Sequence, residues 1–451
     1  MAEDDKRARD QGTEASAAVS SESGFPSGAS ASVEGYTGRY LVLTKPGQEE
    51  AGMRALGRTP EISLSTVGKA ELPELSMNSI PDGAGLVFPE LGVAVVNPTA
   101  EGVAAISSAV AKTDALELME PERFVYTTGE IDLSWLRGFR DATNEIYERL
   151  AEKSTGSVGG QTVPTFDESQ ATWGLQATQV LQSRWTGKGV RIAILDTGID
   201  LGHQDFRSRQ ILAESFIHGE PVADGNGHGT HCAGVAAGPV QPGTLPRYGV
   251  APGAELMVGK VLANSGRGTD GQIIAGINWA IANKADIVSM SLGAPVTEGQ
   301  NFSAVFQQIA EIALARGTLI IAAAGNDSHR PRDLRPVSHP GNCPGIMAVG
   351  ALDRTYRLGW FSNSGLNLNG GKVDIVGPGV DIYSSFPTGT PPYRRLDGTS
   401  MATPYVAGIA ALYAEATGLR ANALWAELTR RALPINQATS DVGAGLAQAP
   451  Q

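Results

Sequence analysis

The chain has 451 residues, 41% apolar and 18% charged, the proportions of a globular protein of two or three domains. Its 35 basic and 47 acidic side chains leave a formal net charge of −12, which argues against a general nucleic-acid surface, and no run of about 18 apolar residues offers a membrane span. The two cysteines, Cys232 and Cys343, provide no disulfide framework, and the N-terminus MAEDDKRARDQG lacks the apolar stretch of a secretory leader, so a cytoplasmic protein is expected, with leaderless export also compatible.

Residues 1–38 are rich in Ser, Ala, Gly and Glu without apolar periodicity and are expected to be disordered. Residues 39–128 carry the pattern of a small folded unit. Arg39–Thr44 reads as a strand, Gln48–Leu56 as a short helix, and Gly85–Phe88 with Gly92–Val96 as a strand pair turned through Pro89 and Glu90. Ala100–Lys112 spaces its apolar residues as a helix, and Ala115–Met119 closes the unit as a strand. This order predicts a ferredoxin-like α+β domain. Residues 129–168 read as a connector. In it Leu136, Phe139, Ile146, Tyr147 and Leu150 share one face of a helix over Leu133–Glu152, and the tract STGSVGGQT from Ser154 to Thr162 is a flexible linker.

From residue 169 to 451 short apolar runs alternate with helical patterns. RIAIL, LMVGKVL, DIVSMSL and TLIIAAA are near-continuous hydrophobic segments, as in parallel strands covered on both faces. The fold class is therefore α/β, a doubly wound and mainly parallel sheet, preceded by the small α+β domain.

Three segments place polar residues where propensity alone would not. In RIAILDTGID a buried strand runs into Asp196, at the carboxyl end where open α/β sheets bind ligands, although an N-cap of the next helix would look the same. In DGNGHGTHCAGVAAG, His228 lies between glycines at the start of a helix, as a metal ligand, a base or neither. His231 three residues on suggests a zinc pair, but no HExxH or CxxC motif supports it. In DGTSMATPYVAGIAALYAEAT, Ser400 opens an apolar helix. A lone Ser there caps the helix, whereas the small Gly398, Ala402 and Ala407 would leave its hydroxyl open to a cleft.

Together these segments resemble the signatures of the subtilisin family of serine proteases, in that family's order of Asp, His and Ser. The resemblance covers about residues 171–449 and includes WGL, GHGTH, SLG at Ser291–Gly293, AAAGN ending at Asn326, and GTSMATPYVAG. It implies a serine endopeptidase with the triad Asp196, His228 and Ser400, acting on polypeptides and needing no cofactor for chemistry. The Asn326 amide and the Ser400 backbone N–H would hold the oxyanion. Substrate would add between Ser265–Gly268, with Ser265, Gly266 and Gly268, and Ser291–Gly293, with Ser291, Leu292 and Gly293. The pocket before the scissile bond would be lined by that second strand, by Ala323–Gly325 with Ala323 and Gly325, and by the loop near Ser338.

Departures from the family pattern carry their own expectations. Ser338 stands where many members have Gly, which makes the pocket shallower, and Asp327 beside Asn326 favours a basic side chain weakly. Asp270 replaces an aromatic that commonly covers a more distal subsite. Asp205 matches a calcium ligand of the family, although the loop Gly238–Gly249 lacks the Asn-rich pattern and Phe166 falls near an expected Gln ligand. Cys232 matches a free thiol under the catalytic His of some members, and reads first as a small buried hydrophobe.

The N-terminal unit resembles the family's inhibitory propeptide, an intramolecular partner and folding aid, or else a ferredoxin-like module with another partner. On the first reading the protein is a self-processing zymogen, cut near Tyr126–Thr128 and trimmed between Ser154 and Ser169. A peptide ligase or cyclase of the same fold and a silent peptide-binding pseudoprotease are the alternatives, and the complete triad with Asn326 argues against the second.

Overall fold

The computed structural model describes residues 35–60, 62–67, 80–128, 164–387, 389 and 391–451. The small unit runs β1 (Tyr36–Thr44), α1 (Glu49–Gly57), β2 (Ser63–Thr66), β3 (Ala84–Phe88), a short turn of 3-10 helix at Pro89–Leu91, β4 (Val93–Asn97), α2 (Ala100–Lys112) and β5 (Leu116–Thr127). Its sheet is ordered β5-β1-β4-β3-β2, antiparallel except for the β2–β3 pair. Thr99 caps α2 by accepting from the Gly102 amide at 3.1 Å.

The side-chain period of two decides which contacts each face makes. Val42, Val87, Ala94 and Val96 meet Leu56 and Ile106 of the helices. Their neighbours Leu41, Leu43, Leu86, Phe88, Val93 and Val95 point the other way, into a core shared with Ile273, Val305, Phe306 and Ile309 of the large domain. The small sheet is therefore a covered middle layer.

Two features of this unit go beyond the sequence reading. The SLST of β2 is too short and polar to register as a strand. β5 continues past Met119 to Thr127, through a segment that Pro121, Glu122 and Arg123 mark as a strand end, because the partners of its second half belong to the large domain. β1 begins at Tyr36, inside the span expected to be disordered. The connector helix over Leu133–Glu152, the STGSVGGQT tract and residues 1–34 lie outside the described residues.

The large domain continues with α3 (Trp173–Ala177), β6 (Arg191–Asp196), β7 (Leu212–Ser215), α4 (His228–Ala237), β8 (Glu255–Lys260), β9 (Arg267–Thr269), α5 (Asp270–Ala282), β10 (Ile287–Met290) and β11 (Leu292–Gly293). It ends with α6 (Ala304–Ala315), β12 (Leu319–Ala323), β13 (Met347–Leu352), β14 (Ile375–Pro378), β15 (Ile382–Ser385), β16 (Tyr393–Leu396), α7 (Thr399–Thr417), α8 (Ala421–Arg431) and α9 (Thr439–Val442). The main sheet is all parallel, in the order β14-β13-β12-β10-β6-β8-β7. Ile192 and Ile194 face a core with Val235 of α4 and Val406 of α7, while Ala193 and Leu195 face one with Ile277 of α5. Strands sandwiched in this way need both alternating sets to be apolar, hence the unbroken hydrophobic runs. This is the doubly wound α/β architecture expected from the sequence.

The large domain also starts earlier than residue 169. The Phe166 ring lies 6.0 Å from that of Trp173, and Glu168 pairs with Arg354 at 3.0 Å and Arg395 at 3.3 Å. Among the described residues no helix is long and apolar enough to cross a membrane.

Candidate active site

β6 delivers Asp196 to the carboxyl edge of the sheet, and a buried lysine holds the loop that follows. Lys260 Nζ donates to the Thr197 carbonyl at 2.6 Å and to Asn264 Oδ1 at 2.8 Å. Asp196 Oδ1 accepts from the Thr197 amide at 2.7 Å and faces His228 Nδ1 at 2.8 Å. Asp224 fixes the loop before α4: it accepts from the Gly227 and Thr230 amides at 2.8 Å each and from the Thr197 hydroxyl at 2.9 Å. Gly227 has φ +107°, and a Cβ there would lie 2.2 Å from the Phe386 ring, so only glycine lets the chain enter the helix with His228 in this place.

Both residues of the pair are buried, and each keeps one orphan atom: Asp196 Oδ2 and His228 Nε2 make no hydrogen bond. Burial alone would depress the His228 pKa, but the adjacent Asp196 carboxylate and its hydrogen bond outweigh it and hold the imidazole well above its ordinary value. His231, one turn along α4, points away and donates through Nε2 to the Ile382 carbonyl at 2.9 Å. Burial, then the neighbouring His228 charge, push its pKa down to about 3, so His231 is a neutral donor and the His228–His231 zinc pair does not form.

Ser400 is the second residue of α7. Its Oγ donates to the Thr128 carbonyl at 3.0 Å, lies 3.3 Å from the Ser291 carbonyl, and sits 2.5 Å from the Thr128 hydroxyl. The hydroxyl expected to bond His228 is thus engaged with the end of the small domain's last strand. Asn326 converges on the same point. Its Oδ1 accepts from the Thr399 amide at 2.9 Å and the Thr399 hydroxyl at 2.8 Å, which orients the amide so that Nδ2 donates to the Thr128 carbonyl. Gly398 leaves this corner open, since a Cβ there would stand 3.1 Å from Asn326 Nδ2 and 3.4 Å from the Thr128 oxygen.

The chain reaches this point as a strand between two others. Val125 pairs with Gly268 and Tyr126 with Arg267 of β9, while Tyr126 and Thr127 pair with Gly293 and Leu292 of β11, all antiparallel. The Thr127 amide also donates to the Gly266 carbonyl at 2.9 Å. Of the residues assigned from the sequence to binding strands, Gly268, Leu292 and Gly293 lie in them. Ser265 and Gly266 form the turn before β9, and Ser291 bonds the Ser400 carbonyl at 2.8 Å through its hydroxyl. Ala323 ends β12, and Gly325 follows it at φ +106°, where a Cβ would meet Ser338 Oγ at 2.2 Å. Ser338 Oγ and Asn363 Nδ2 donate to Asp327 Oδ2 at 3.0 and 2.9 Å, so that oxygen is satisfied within the wall.

Cys232 is fully buried, with Sγ 3.8 Å from His228 Nδ1 and 3.5 Å from the Ser400 carbonyl. Burial foremost raises its pKa and keeps it a neutral thiol.

The calcium expectation at Asp205 needs correcting. Its Oδ1 accepts from the Gly243 amide at 2.8 Å, and its Oδ2 accepts from the hydroxyls of Tyr248 at 2.5 Å and Tyr393 at 3.0 Å. A calcium site is a ring of oxygen acceptors, whereas this carboxylate is ringed by donors. The residues present do not fit the ion. The sequence reading also passed over Asp224 and Lys260. The DGNGHG segment offered a signal for the first, an acid just before a glycine-flanked His, but nothing local marks a buried lysine that reaches the Thr197 carbonyl in a distant loop.

With this geometry in hand, comparison with known proteins is specific. The subtilase family model matches residues 187–449, more than half of the chain. Subtilisin BL of Lederbergia lenta is 41% identical over 272 residues, 59% of this chain and 91% of that protein. M-protease of Shouchella clausii (strain KSM-K16) is 40% identical over 276 residues, 60% of this chain and 64% of that protein. Subtilisin DY of Bacillus licheniformis is 40% identical over 239 residues, 53% of this chain and 81% of that protein. These relatives overturn the cytoplasmic expectation, because they are secreted, extracellular enzymes. A scarcity of cysteines was a poor guide: a core of this size needs no disulfides in either compartment.

Proposed function

The chain belongs to the subtilase family of serine endopeptidases, and on that premise we propose that it hydrolyses polypeptides through an acyl-enzyme on Ser400 and is made as a self-processing zymogen. In this reading residues 36–128 form the inhibitory propeptide and the first cut falls between Thr128 and Gly129. One observation carries it: the Thr128 carbonyl ends a strand laid antiparallel between β9 and β11 and is met at once by Asn326 Nδ2 and Ser400 Oγ.

The roles follow from the positions. Ser400 Oγ attacks the carbonyl carbon, and His228 Nε2, free of other partners, takes the hydroxyl proton. Asp196 holds the other ring nitrogen as the N–H tautomer and stabilises the imidazolium. The oxygen that becomes anionic already lies against the Asn326 amide, so the donor is in place before charge develops. His228 then returns the proton to the departing amine, and water attacks the acyl group by the same route in reverse. Backbone pairing on both sides of the strand accounts for binding of an extended polypeptide without a demand on most of its side chains.

The test is maturation. Wild-type protein is expected to yield an N-terminus at Gly129, with trimming between Ser154 and Ser169. Ser400→Ala is expected to stay near 46.9 kDa and to lose hydrolysis by about six orders of magnitude, the scale measured on subtilisin itself. A wild-type chain that remains intact and fully active would sink the propeptide reading, and a proteolytically competent Ser400→Ala would sink the nucleophile.

A further inference from the structure

Beneath the strand that fills the cleft lies a buried acid that the triad chemistry does not use. Asp270, the first residue of α5, is fully buried and its Oδ1 pairs with His339 Nε2 at 2.8 Å. The His339 ring packs edge-on against Phe306 at 4.7 Å, and its other nitrogen has no partner. Asp270 Oδ2 faces the strand instead. It accepts from the Arg123 amide at 2.9 Å and lies 3.8 Å from Arg123 Nη1. Arg123 Nη1 is itself buried without a hydrogen bond, and its second neighbour, Glu120 Oε2 at 3.7 Å, belongs to the same strand. Glu122, between them, is turned to the Gly271 amide at 2.9 Å and to Arg39 at 2.5 Å, so it leaves Asp270 to Arg123.

We infer that Asp270, positioned by His339, is a specificity residue that selects a basic side chain at the sixth position before the cleaved bond. Counting back from Thr128, that position is Arg123. The inference rests on the endopeptidase reading and on Thr128 as the residue before the cut. The physical reason is desolvation. Strand addition seals Asp270 from water, and a buried carboxylate with one imidazole partner demands a second compensating group. The amide of any residue at this position supplies a hydrogen bond, but only a basic side chain supplies charge. In a substrate lacking a counterpart of Glu120, Asp270 is, among the described residues, the one carboxylate that such a side chain meets.

The experiment compares peptides spanning Pro121–Leu133 of this chain, which leave out Glu120, with Arg, Lys, Ala or Glu in place of Arg123, as substrates of the processed wild-type enzyme. The Arg peptide is expected to exceed the Ala peptide roughly 5- to 10-fold in kcat/KM, mostly through KM, with the Glu peptide lower still. The ratio should shrink at high salt and collapse in Asp270→Asn. Reading the Arg-to-Ala ratio within one preparation keeps the result independent of how well that variant folds. Equal cleavage of the Arg and Ala peptides by wild type, or an undiminished ratio in Asp270→Asn, overturns the inference and leaves the endopeptidase reading intact. A gain from Arg moved to the fourth position, with none at the sixth, overturns it as well. Cleavage of no peptide overturns both.

Discussion

The two halves of β5 are one continuous strand held by different physics. From Leu116 to Pro121 the strand pairs with β1 of its own sheet, and Leu116 is buried in that sheet's core. From Phe124 to Thr127 it pairs with β9 and β11 of the large domain, and its side chains alternate between buried Val125 and exposed Tyr126. The first half is specified by hydrophobic packing, so its sequence reads as a strand. The second is specified by main-chain hydrogen bonds to a groove, and although Phe124–Thr127 is made of strand-forming residues, the Pro121–Arg123 break ahead of it hides that it continues the same strand. A protein that binds extended chains needs the second kind of contact, because main-chain groups are common to all polypeptides.

Four changes would break or sharpen this contrast. Asn326→Leu removes the donor where the second half ends and should lower kcat about 100- to 1000-fold with little change in KM, the cost known for the equivalent Asn of subtilisin. A large rise in KM with kcat intact would make Asn326 a binding group only.

Asp205→Ala probes a wall remote from β5. It strands the Gly243 amide and two buried tyrosine hydroxyls, and should cost about 2–4 kcal/mol of stability by denaturant unfolding. The loss should be the same in calcium and in EDTA. A loss seen only with calcium present would restore the metal reading.

Glu122→Gln acts at the junction of the halves, where the carboxylate bonds the Gly271 amide at the start of α5 and pairs with Arg39. Weakening it should speed the appearance of activity in the full-length chain, by about tenfold at most, for a hydrogen bond to a charged group worth on the order of 1.5 kcal/mol. An unchanged time course would mean that the backbone ladder alone holds the second half.

The smallest effect is on pH. His228 must be neutral to take a proton, and Asp196 raises its pKa, so kcat/KM should rise with pH through a midpoint above the ordinary value of about 6.5. The sign for stability is opposite. The charged pair contributes fully below about 6.5 and fades as pH rises through the folded pKa, so stability peaks on the acid side of activity. A midpoint below that ordinary value in the pH–rate profile would contradict the pairing with Asp196.

Much of the site was legible because its signals are local. RIAIL and TLIIAAA carry the double apolar face of a buried parallel strand, and Asp196, His228, Asn326 and Ser400 each end or open such an element beside glycines and alanines that leave them room. The sequence by itself therefore determined the parallel α/β layer through its periodicity. The four side chains at its edge were singled out by the resemblance of their motifs to the subtilisin family, each segment alone leaving Asp196, His228 and Ser400 open to other readings. Tertiary structure alone decided the rest. The course of β5 beyond Met119, the Thr128 carbonyl between Asn326 and Ser400, the donors that exclude calcium from Asp205 and the Asp270–His339 pair under Arg123 all join residues far apart in the chain. A hydrogen bond between such residues depends on how whole layers pack, and no short stretch of sequence carries that geometry.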